Sequence, residues 1–254
     1  MTDVVNPKST SPDQLLPYHK KISAEGKALM KCFISYTYMV LNSCLSEIKE
    51  REEKKMDFLK CSPKWTRQPK QVQVDEDKVI IITERGTDLW ARTYYGFQND
   101  NASVFQIETT DKFFSFIVKT EFESTCRFDQ CGVAMYLDSD NWFKASIEYE
   151  DEKIQRLGSV VTNHGYSDWA TTDISSDIRS MWYRFSRRNS DYCIECSEDG
   201  INFRQMRIFH MWEGAEKITY GIYAGSPTKG SYKATFSDMQ ITECQWKSDA
   251  EWRD

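Results

Sequence analysis

One central stretch of the chain concentrates the side chains that proteins use to bind polyhydroxylated ligands. Trp142 and Trp169 offer flat apolar faces for stacking on a sugar ring, and Lys144 offers a hydrogen-bond donor to hydroxyl or acidic groups. Glu148 and Asp168 add acceptors that orient a ligand. The sequence therefore predicts a carbohydrate-binding face. Its candidate residues are Arg92, Tyr94, Trp142, Lys144, Glu148, Tyr166, Asp168, Trp169, Arg184 and Arg187.

The two arginines of this set belong to a single predicted strand. Arg184 is expected to hydrogen-bond hydroxyl or acidic groups together with Lys144. Arg184 and Arg187 have opposite parity, and successive strand residues point to opposite faces. At most one of the two is therefore expected on the ligand face.

A catalytic alternative rests on the carboxylates of the same stretch. Glycoside hydrolysis needs two carboxyl groups, one acting as an acid and the other as a nucleophile or base. Glu148 is the first candidate, with a second carboxylate such as Asp168. Glu150 and Glu152 share the parity of Glu148, but the sequence around Asp151 is typical of a solvated turn. We favour a binding module over an enzyme.

The sequence predicts no metal and no cofactor. Residues 138–141, Asp-Ser-Asp-Asn, resemble the start of a calcium loop but lack its glycine and distal glutamate, so a hairpin turn is the simpler interpretation. Cys193 and Cys196 lie three apart in a predicted strand, which places their thiols on opposite faces and argues against zinc. The glycines form neither a phosphate loop nor a dinucleotide fingerprint.

Short apolar runs bounded by Gly, Asn, Asp and Ser predict an antiparallel β-sandwich or barrel. Within one run, Phe143, Ala145 and Ile147 alternate with Trp142, Lys144, Ser146 and Glu148, so the first set is predicted to face the core. Residues 163–169 are typical of a loop. The predicted strands are about 104–109, 113–122, 131–137, 142–150, 157–162, 181–188, 191–197, 203–209, 218–224 and 232–243.

The N-terminal region differs from the rest of the chain. Prolines and polar residues predict disorder to about residue 20, and the pattern from Ala24 predicts a helix of roughly 25 residues. The uncharged window 32–46 is shorter than the roughly 20 residues of a transmembrane helix. We predict an N-terminal extension, residues 1–55, a sandwich domain, 56–246, and a C-terminal tail, 247–254. Met56 is either an alternative start or the first residue of the folded domain.

Charge and cysteine content narrow the partners and the compartment. The chain has 39 acidic and 33 basic residues, and this acidic excess opposes binding to nucleic acid or to an anionic membrane. The first 31 residues contain no apolar run of a signal peptide, so we expect a cytoplasmic protein whose eight cysteines are reduced thiols. The expected partner is a saccharide or small polar metabolite, with a protein partner as an alternative.

Five motifs in order carry a resemblance to a known family. They are DLWARTYYGFQNDNA, FDQCGVAMYLDSDNWFKASIEYE, QRLGSVVTNHGYSDWATTD, MWYRFSRRNSDYCIECSEDGINFRQMRIFH and YGIYAGSP. Together they resemble an uncharacterised domain family of bacteria and fungi that includes the fungal regulation-of-enolase protein. The resemblance covers about Met56 to Cys244. It implies a concanavalin A-like jelly-roll sandwich, an all-β fold.

Three classes of function stay open at this stage. The favoured one is a binding module for a carbohydrate or similar polyhydroxylated metabolite. The second is an enzyme resembling glycoside hydrolases that uses Glu148 and another carboxylate. The third is a regulatory protein-interaction domain without a small ligand, as the name of the fungal relative suggests. A shared fold does not decide among them, so the arrangement of side chains must.

Overall fold

A computed structural model describes Phe33, residues 35–42 and residues 55–247. The chain divides into two units, Met1–Glu53 and Lys54–Asp254. In the first unit, Phe33 and residues 35–42 are helical with exposed side chains. No helix in the described residues is long and apolar enough to cross a membrane. The predicted disorder before residue 20, the rest of the predicted helix and most of the predicted C-terminal tail lie outside the described residues.

The second unit contains two large antiparallel sheets. The first sheet has eight strands in the order β15-β14-β13-β8-β17-β4-β3, with β1 paired to β17. Their bounds are β1 Met56–Asp57, β3 Gln71–Val74, β4 Lys78–Ile82, β8 Phe113–Phe122, β13 Ser180–Arg188, β14 Asp191–Ser197, β15 Arg204–His210 and β17 Lys233–Thr242.

The second sheet has seven strands in the order β12-β11-β10-β9-β16-β7-β2. Their bounds are β2 Lys64–Trp65, β7 Ser103–Thr109, β9 Gln130–Asp138, β10 Asn141–Tyr149, β11 Ile154–Asn163, β12 Tyr166–Ser175 and β16 Ile218–Gly225. A separate two-stranded ribbon pairs β5, Leu89–Ala91, with β6, Gln98–Asp100. Two single 3-10 turns complete the described part of this unit, Phe58–Cys61 and Trp212–Gly214.

The core lies between the two sheets and follows the alternation of the strands. Phe143, Ala145 and Ile147 are fully buried in it, as predicted from the sequence. The Phe143 ring stacks on Phe209 of the opposite sheet with a centroid distance of 4.3 Å. Burial of many such rings is the main favourable term in the stability of a sandwich. The predicted concanavalin A-like, all-β sandwich is confirmed.

The turn at residues 138–141 joins β9 to β10 as the sequence predicted. The Asp138 carboxylate accepts a hydrogen bond of 2.9 Å from the Asp140 backbone N–H, the local contact that favours Asp in turns. The loop predicted at residues 163–169 is wrong in part, because only His164 and Gly165 form a turn and residues 166–169 begin strand β12. This strand lies at the sheet edge with mostly exposed side chains, so it lacks the apolar alternation that marks the other strands.

A second apolar cluster lies on the outer face of the seven-stranded sheet. The segment 88–101, which we call the lobe, contains the β5–β6 ribbon and packs over this face. Its Leu89, Trp90 and Ala91 are buried against residues of the sheet, including Trp142. This side of the sandwich therefore has its own small core.

Candidate functional site

A cavity of about 310 Å³ opens between the lobe and the outer face of the seven-stranded sheet. Its floor comes from β9, β10, β11 and β12, and its walls come from the lobe and two further loops. The lining residues are Asp88, Trp90, Tyr95, Phe97, Phe128, Gln130, Lys144, Glu148, Val160, Trp169, Pro227 and Thr228. Aromatic rings and a few convergent polar groups characterise small-molecule sites.

Lys144 anchors the polar floor of the cavity. Its Nζ donates to Gln130 Oε1 at 2.6 Å and to Asp88 Oδ1 at 3.2 Å. Tyr223 also donates to Gln130 Oε1, at 3.2 Å, and the Leu89 backbone N–H donates to Asp88 Oδ1 at 2.7 Å. A buried ammonium is tolerated only when such partners replace its water, and here an ion pair and an amide do so. The network also ties the lobe to the sheet.

Glu148 lies beside this network on the same strand as Lys144, but it differs from Lys144 in its hydrogen bonding. No hydrogen bond or ion pair from the described residues reaches its carboxylate. Burial raises the pKa of Glu148 from its ordinary value of 4.5 to about 7, with a further increase from Asp88 and Glu150. Lys144 and Arg156 act in the opposite direction without cancelling the effect of burial. The site thus holds an acceptor without a protein partner, whose charge changes near neutral pH.

Aromatic rings form the walls. Trp90 meets Trp169 edge to face with a centroid distance of 6.2 Å, and it meets Tyr95 in the same way at 5.4 Å. The ring centroids of Tyr95 and Phe97 are 6.0 Å apart. The Trp90 indole donates to the Thr93 carbonyl at 3.2 Å, which fixes the ring. Such rings offer apolar faces to a ligand, and the rings themselves have little conformational freedom.

Arg92 fastens the lobe over the cavity. Its Nη1 donates to the Gly165 carbonyl at 2.9 Å and to Asp140 Oδ1 at 3.4 Å. These contacts join the lobe to two hairpin turns of the seven-stranded sheet, β9–β10 and β11–β12. A Cβ added at Gly165 would lie 1.8 Å from Arg92 Nη1, so the glycine makes room for this guanidinium. Arg92 therefore positions the wall of the cavity.

Residues 65–244 match the family described as "Protein of unknown function (DUF1349)". The chain belongs to this family. It is also 32% identical over 179 residues to "Regulation of enolase protein 1" of Saccharomyces cerevisiae (strain ATCC 204508 / S288c), an alignment that covers 70% of this chain and 88% of the relative. The predicted family resemblance is confirmed.

Solved structures extend the comparison for this DUF1349 domain. A functionally unknown protein from Saccharomyces cerevisiae superposes with a TM-score of 0.67 and 30% identity, over 72% of this chain and 97% of that one. The GH43 BlXynB protein from Bacillus licheniformis gives 0.55 and 15%, over 72% and 36%. A xylan beta-1,4-xylosidase from Bacillus halodurans C-125 gives 0.54 and 13%, over 75% and 39%. These two bacterial proteins share the fold with part of their length.

Three of the predicted site residues of the DUF1349 domain meet at the cavity, namely Lys144, Glu148 and Trp169. Trp142 lies on the same face of the sheet, as its parity predicted, but it is fully buried under the lobe. The expected stacking of Trp142 on a ligand is therefore wrong. The lobe lies some fifty residues before Trp142 in the chain, a separation of roughly ten strand lengths. Strand alternation shows which face of a sheet a side chain takes, but it does not show whether a distant segment covers that face.

Four further predicted residues lie near the cavity without lining it. Asp168 pairs across the strands with core-facing Val161, so it points away from Trp169 and meets Arg207 at 2.9 Å. Asp168 cannot serve as the second carboxylate beside Glu148. Tyr166 is exposed at the β11–β12 hairpin, where Arg92 lies 5.8 Å from its ring centre. Tyr94 is at the tip of the lobe.

Arg184 and Arg187 are on β13 in the other sheet, and neither shares the ligand face. Arg184 forms two hydrogen bonds with Glu195, at 2.6 Å and 2.8 Å. Arg187 is fully buried and donates to backbone carbonyls. The opposite parity of the two arginines was a correct prediction, but the sequence pattern does not reveal to which sheet a strand belongs.

Most residues of the cavity lining were not among the site residues predicted from the sequence. Asp88 lies in a stretch whose composition is typical of a turn. Phe97, Phe128 and Pro227 belong to no sequence pattern that indicates a binding site. Gln130 pairs directly with Glu148 across β9 and β10, so cross-strand register points to it once the hairpin is known. The concentration of rings in the lobe, TrpAlaArgThrTyrTyrGlyPhe, was the available signal for the wall.

The described residues include histidines, cysteines and carboxylates whose arrangement bears on metal binding. No group of three His, Cys, Asp or Glu side chains there is arranged to hold a metal ion. The six cysteines of this part of the chain are free thiols. Cys196 faces the core while Cys193 does not, in agreement with their predicted opposite orientation.

The raised pKa of Glu148 predicts a pH-dependent stability. The folded state holds the proton more tightly than the unfolded state, so the contribution of Glu148 is fully present below about pH 4.5 and is lost as pH rises through about 7. We expect a loss of about 1–2 kcal/mol across this window, which is less than the full pKa shift would give because the Glu148 side chain is half-buried and lines an open cavity. The measurement is urea unfolding at half-unit pH steps, and Glu148→Gln should remove the step. Glu121→Gln, exposed on β8, is the control for loss of one carboxylate. An identical pH profile in the wild type and Glu148→Gln would contradict the assignment.

Proposed function

We propose that the cavity binds a small polyhydroxylated ligand, such as a monosaccharide unit or a similar metabolite. The observation that carries this proposal is the combination of aromatic walls with an acceptor, Glu148, that has no protein partner among the described residues. Sugar rings use these two features together, since their C–H faces pack on aromatic rings while their hydroxyls donate to carboxylates. The cavity volume of about 310 Å³ lies at the small end of the usual ligand range, roughly 300–1,000 Å³.

The contacts of the residues that line the cavity indicate what each of them contributes to ligand binding. Trp169 and Trp90 provide the packing surface, and Glu148 accepts hydrogen bonds from ligand hydroxyls. Lys144 fixes Asp88 and Gln130, so it shapes the floor. Two bacterial proteins that share the fold are named as a GH43 protein and a xylan xylosidase, but that likeness concerns the fold alone. The proposal therefore rests on the cavity.

Calorimetric titration of the full chain with a panel of neutral monosaccharides and polyols tests this function. Binding of at least one member is expected, and Trp169→Ala should weaken it about tenfold, which corresponds to roughly 1.4 kcal/mol. Trp212→Ala removes an exposed tryptophan that does not line the cavity, and it should leave the affinity unchanged. Absence of binding across the panel, or equal losses in the two variants, would refute the proposal.

A second candidate function is glycoside hydrolysis at the same cavity. Glu148 and Asp88 both line it, and their environments differ. Asp88 accepts hydrogen bonds from a lysine and a backbone N–H, whereas Glu148 has a pKa near 7. Glycoside hydrolysis uses two carboxyl groups in one site, one of them with a raised pKa. Release of nitrophenol from nitrophenyl glycosides that disappears in Glu148→Gln would support the enzyme. No release, or release that survives the substitution, would exclude it.

A further inference from the structure

The tip of the lobe presents an aromatic side chain in an unfavourable backbone conformation. Tyr94 has φ of 61°, in the left-handed region that bulky residues avoid, and its side chain is 93% exposed. A non-glycine residue in this region is strained, and the burial of an exposed ring contributes little to offset that strain. Fold stability therefore does not explain a tyrosine at this position.

The turn that carries Tyr94 is nevertheless well defined. The Arg92 N–H donates to the Phe97 carbonyl at 2.8 Å, and the Gly96 N–H donates to the Arg92 carbonyl at 2.7 Å. Arg92 and Gly96 also have positive φ, 54° and 72°. Backbone strain that the surrounding contacts maintain is a reason to look for a function at the strained residue.

The exposed rings at the tip are continuous with the wall of the cavity. Tyr94 meets Tyr95 edge to face at 5.0 Å, and Tyr95 meets both Phe97 and Trp90. Tyr95 and Phe97 line the cavity and are still about half exposed, at 53% and 47%. Three large rings therefore lead outward from the mouth of the cavity to the surface.

We propose that the DUF1349 domain binds the end of a saccharide chain, with the terminal unit in the cavity and the next unit on the rings of Tyr94, Tyr95 and Phe97. This inference rests on the proposed function and specifies its ligand class. The cavity is at the small end of ligand sites, so a ligand of more than one sugar unit must extend beyond it. Exposed apolar patches of this kind are a mark of binding surfaces. Stacking on successive rings suits a chain of flat-faced units.

Titration of the full-length protein with two matched series of saccharides of increasing length tests this inference. The probes are glucose, cellobiose and cellotriose, with xylose, xylobiose and xylotriose as a second series. We expect the affinity to rise about tenfold from the monosaccharide to the disaccharide in the series that binds, which corresponds to about 1.4 kcal/mol. The third unit should add much less, because the described rings end at Tyr94.

Tyr94→Gly is the informative variant. Glycine adopts the left-handed conformation without strain, so the variant should fold with unchanged or higher stability. Tyr94→Gly should lose most of the increase in affinity that the second sugar unit provides, and it should keep the affinity for the monosaccharide. Phe113→Ala, an exposed aromatic on the other sheet, is the matched control and should change neither.

The outcomes separate this inference from the proposed function. If no monosaccharide or longer probe binds, both are refuted. If a monosaccharide binds and the disaccharide binds no better, the proposed function stands and the chain-end inference is refuted. The chain-end inference alone is also refuted if Tyr94→Gly keeps the full gain from the second unit, or if Tyr94→Gly and Phe113→Ala lose it equally.

Discussion

Replacing Arg187 by methionine is expected to lower the free energy of unfolding by about 3–5 kcal/mol. Arg187 is fully buried, and its guanidinium gathers carbonyls from three separate backbone segments. These acceptors are Asn189 O at 2.7 Å, Asp111 O at 2.8 Å, Glu216 O at 2.9 Å, Gly214 O at 3.0 Å and Ala215 O at 3.1 Å. Methionine fills much of the space but removes all the guanidinium donors, while Gly214 O keeps its bond from the Tyr192 hydroxyl and Ala215 O and Glu216 O keep theirs from Lys112.

Urea unfolding followed by circular dichroism measures this effect. Arg187→Lys should also destabilise, because a single ammonium cannot reproduce the fork of the guanidinium toward three segments. Arg204→Ala removes an exposed arginine on β15 and should change stability by less than about 0.5 kcal/mol. If Arg187→Met and Arg204→Ala had similar stabilities, the structural role of Arg187 would be wrong.

Lys144→Met is expected to destabilise the protein by about 3 kcal/mol and to impair ligand binding. The Lys144 side chain is only 4% exposed and Asp88 only 13%, so removal of the ammonium leaves a carboxylate with little water and no counterion. The Asp88–Lys144 pair also connects the lobe to the sheet, and its loss should loosen the wall of the cavity.

A double-mutant cycle distinguishes this ion pair from simple packing. Asp88→Asn combined with Lys144→Met removes both charges, so the double variant should be more stable than Lys144→Met alone. Urea unfolding of the four proteins gives the coupling energy. Strictly additive effects of the two substitutions would show that the ion pair contributes nothing.

Strand alternation predicted much of the sandwich and the orientation of its central hairpin. Phe143 faces the core and Lys144 faces the opposite side, as the period of two residues requires. The same rule placed Trp142 and Glu148 on the outer face with Lys144. A local pattern of this kind is readable because each strand must bury one side whatever its partners are.

Long-range arrangement accounts for what the sequence did not reveal. Trp142 and Lys144 have the same parity, yet the lobe covers Trp142 completely and leaves Lys144 on the cavity floor. Arg187 resembles a ligand-binding cation in sequence, but the carbonyls around it come from loops that only the folded chain brings together. Whether a polar or aromatic residue binds a ligand or supports the fold depends on such neighbours.

The most direct test of the central claim is a titration that resolves the tryptophan indole N–H signals by nitrogen-15 NMR. Trp90 and Trp169 line the cavity, whereas Trp182, Trp212 and Trp246 do not. With single Trp→Phe variants for assignment, the signals of Trp90 and Trp169 should shift in proportion to occupancy as a binding saccharide is added. Shifts confined to the other tryptophans, with Trp90 and Trp169 unchanged at saturation, would contradict a ligand site in this cavity.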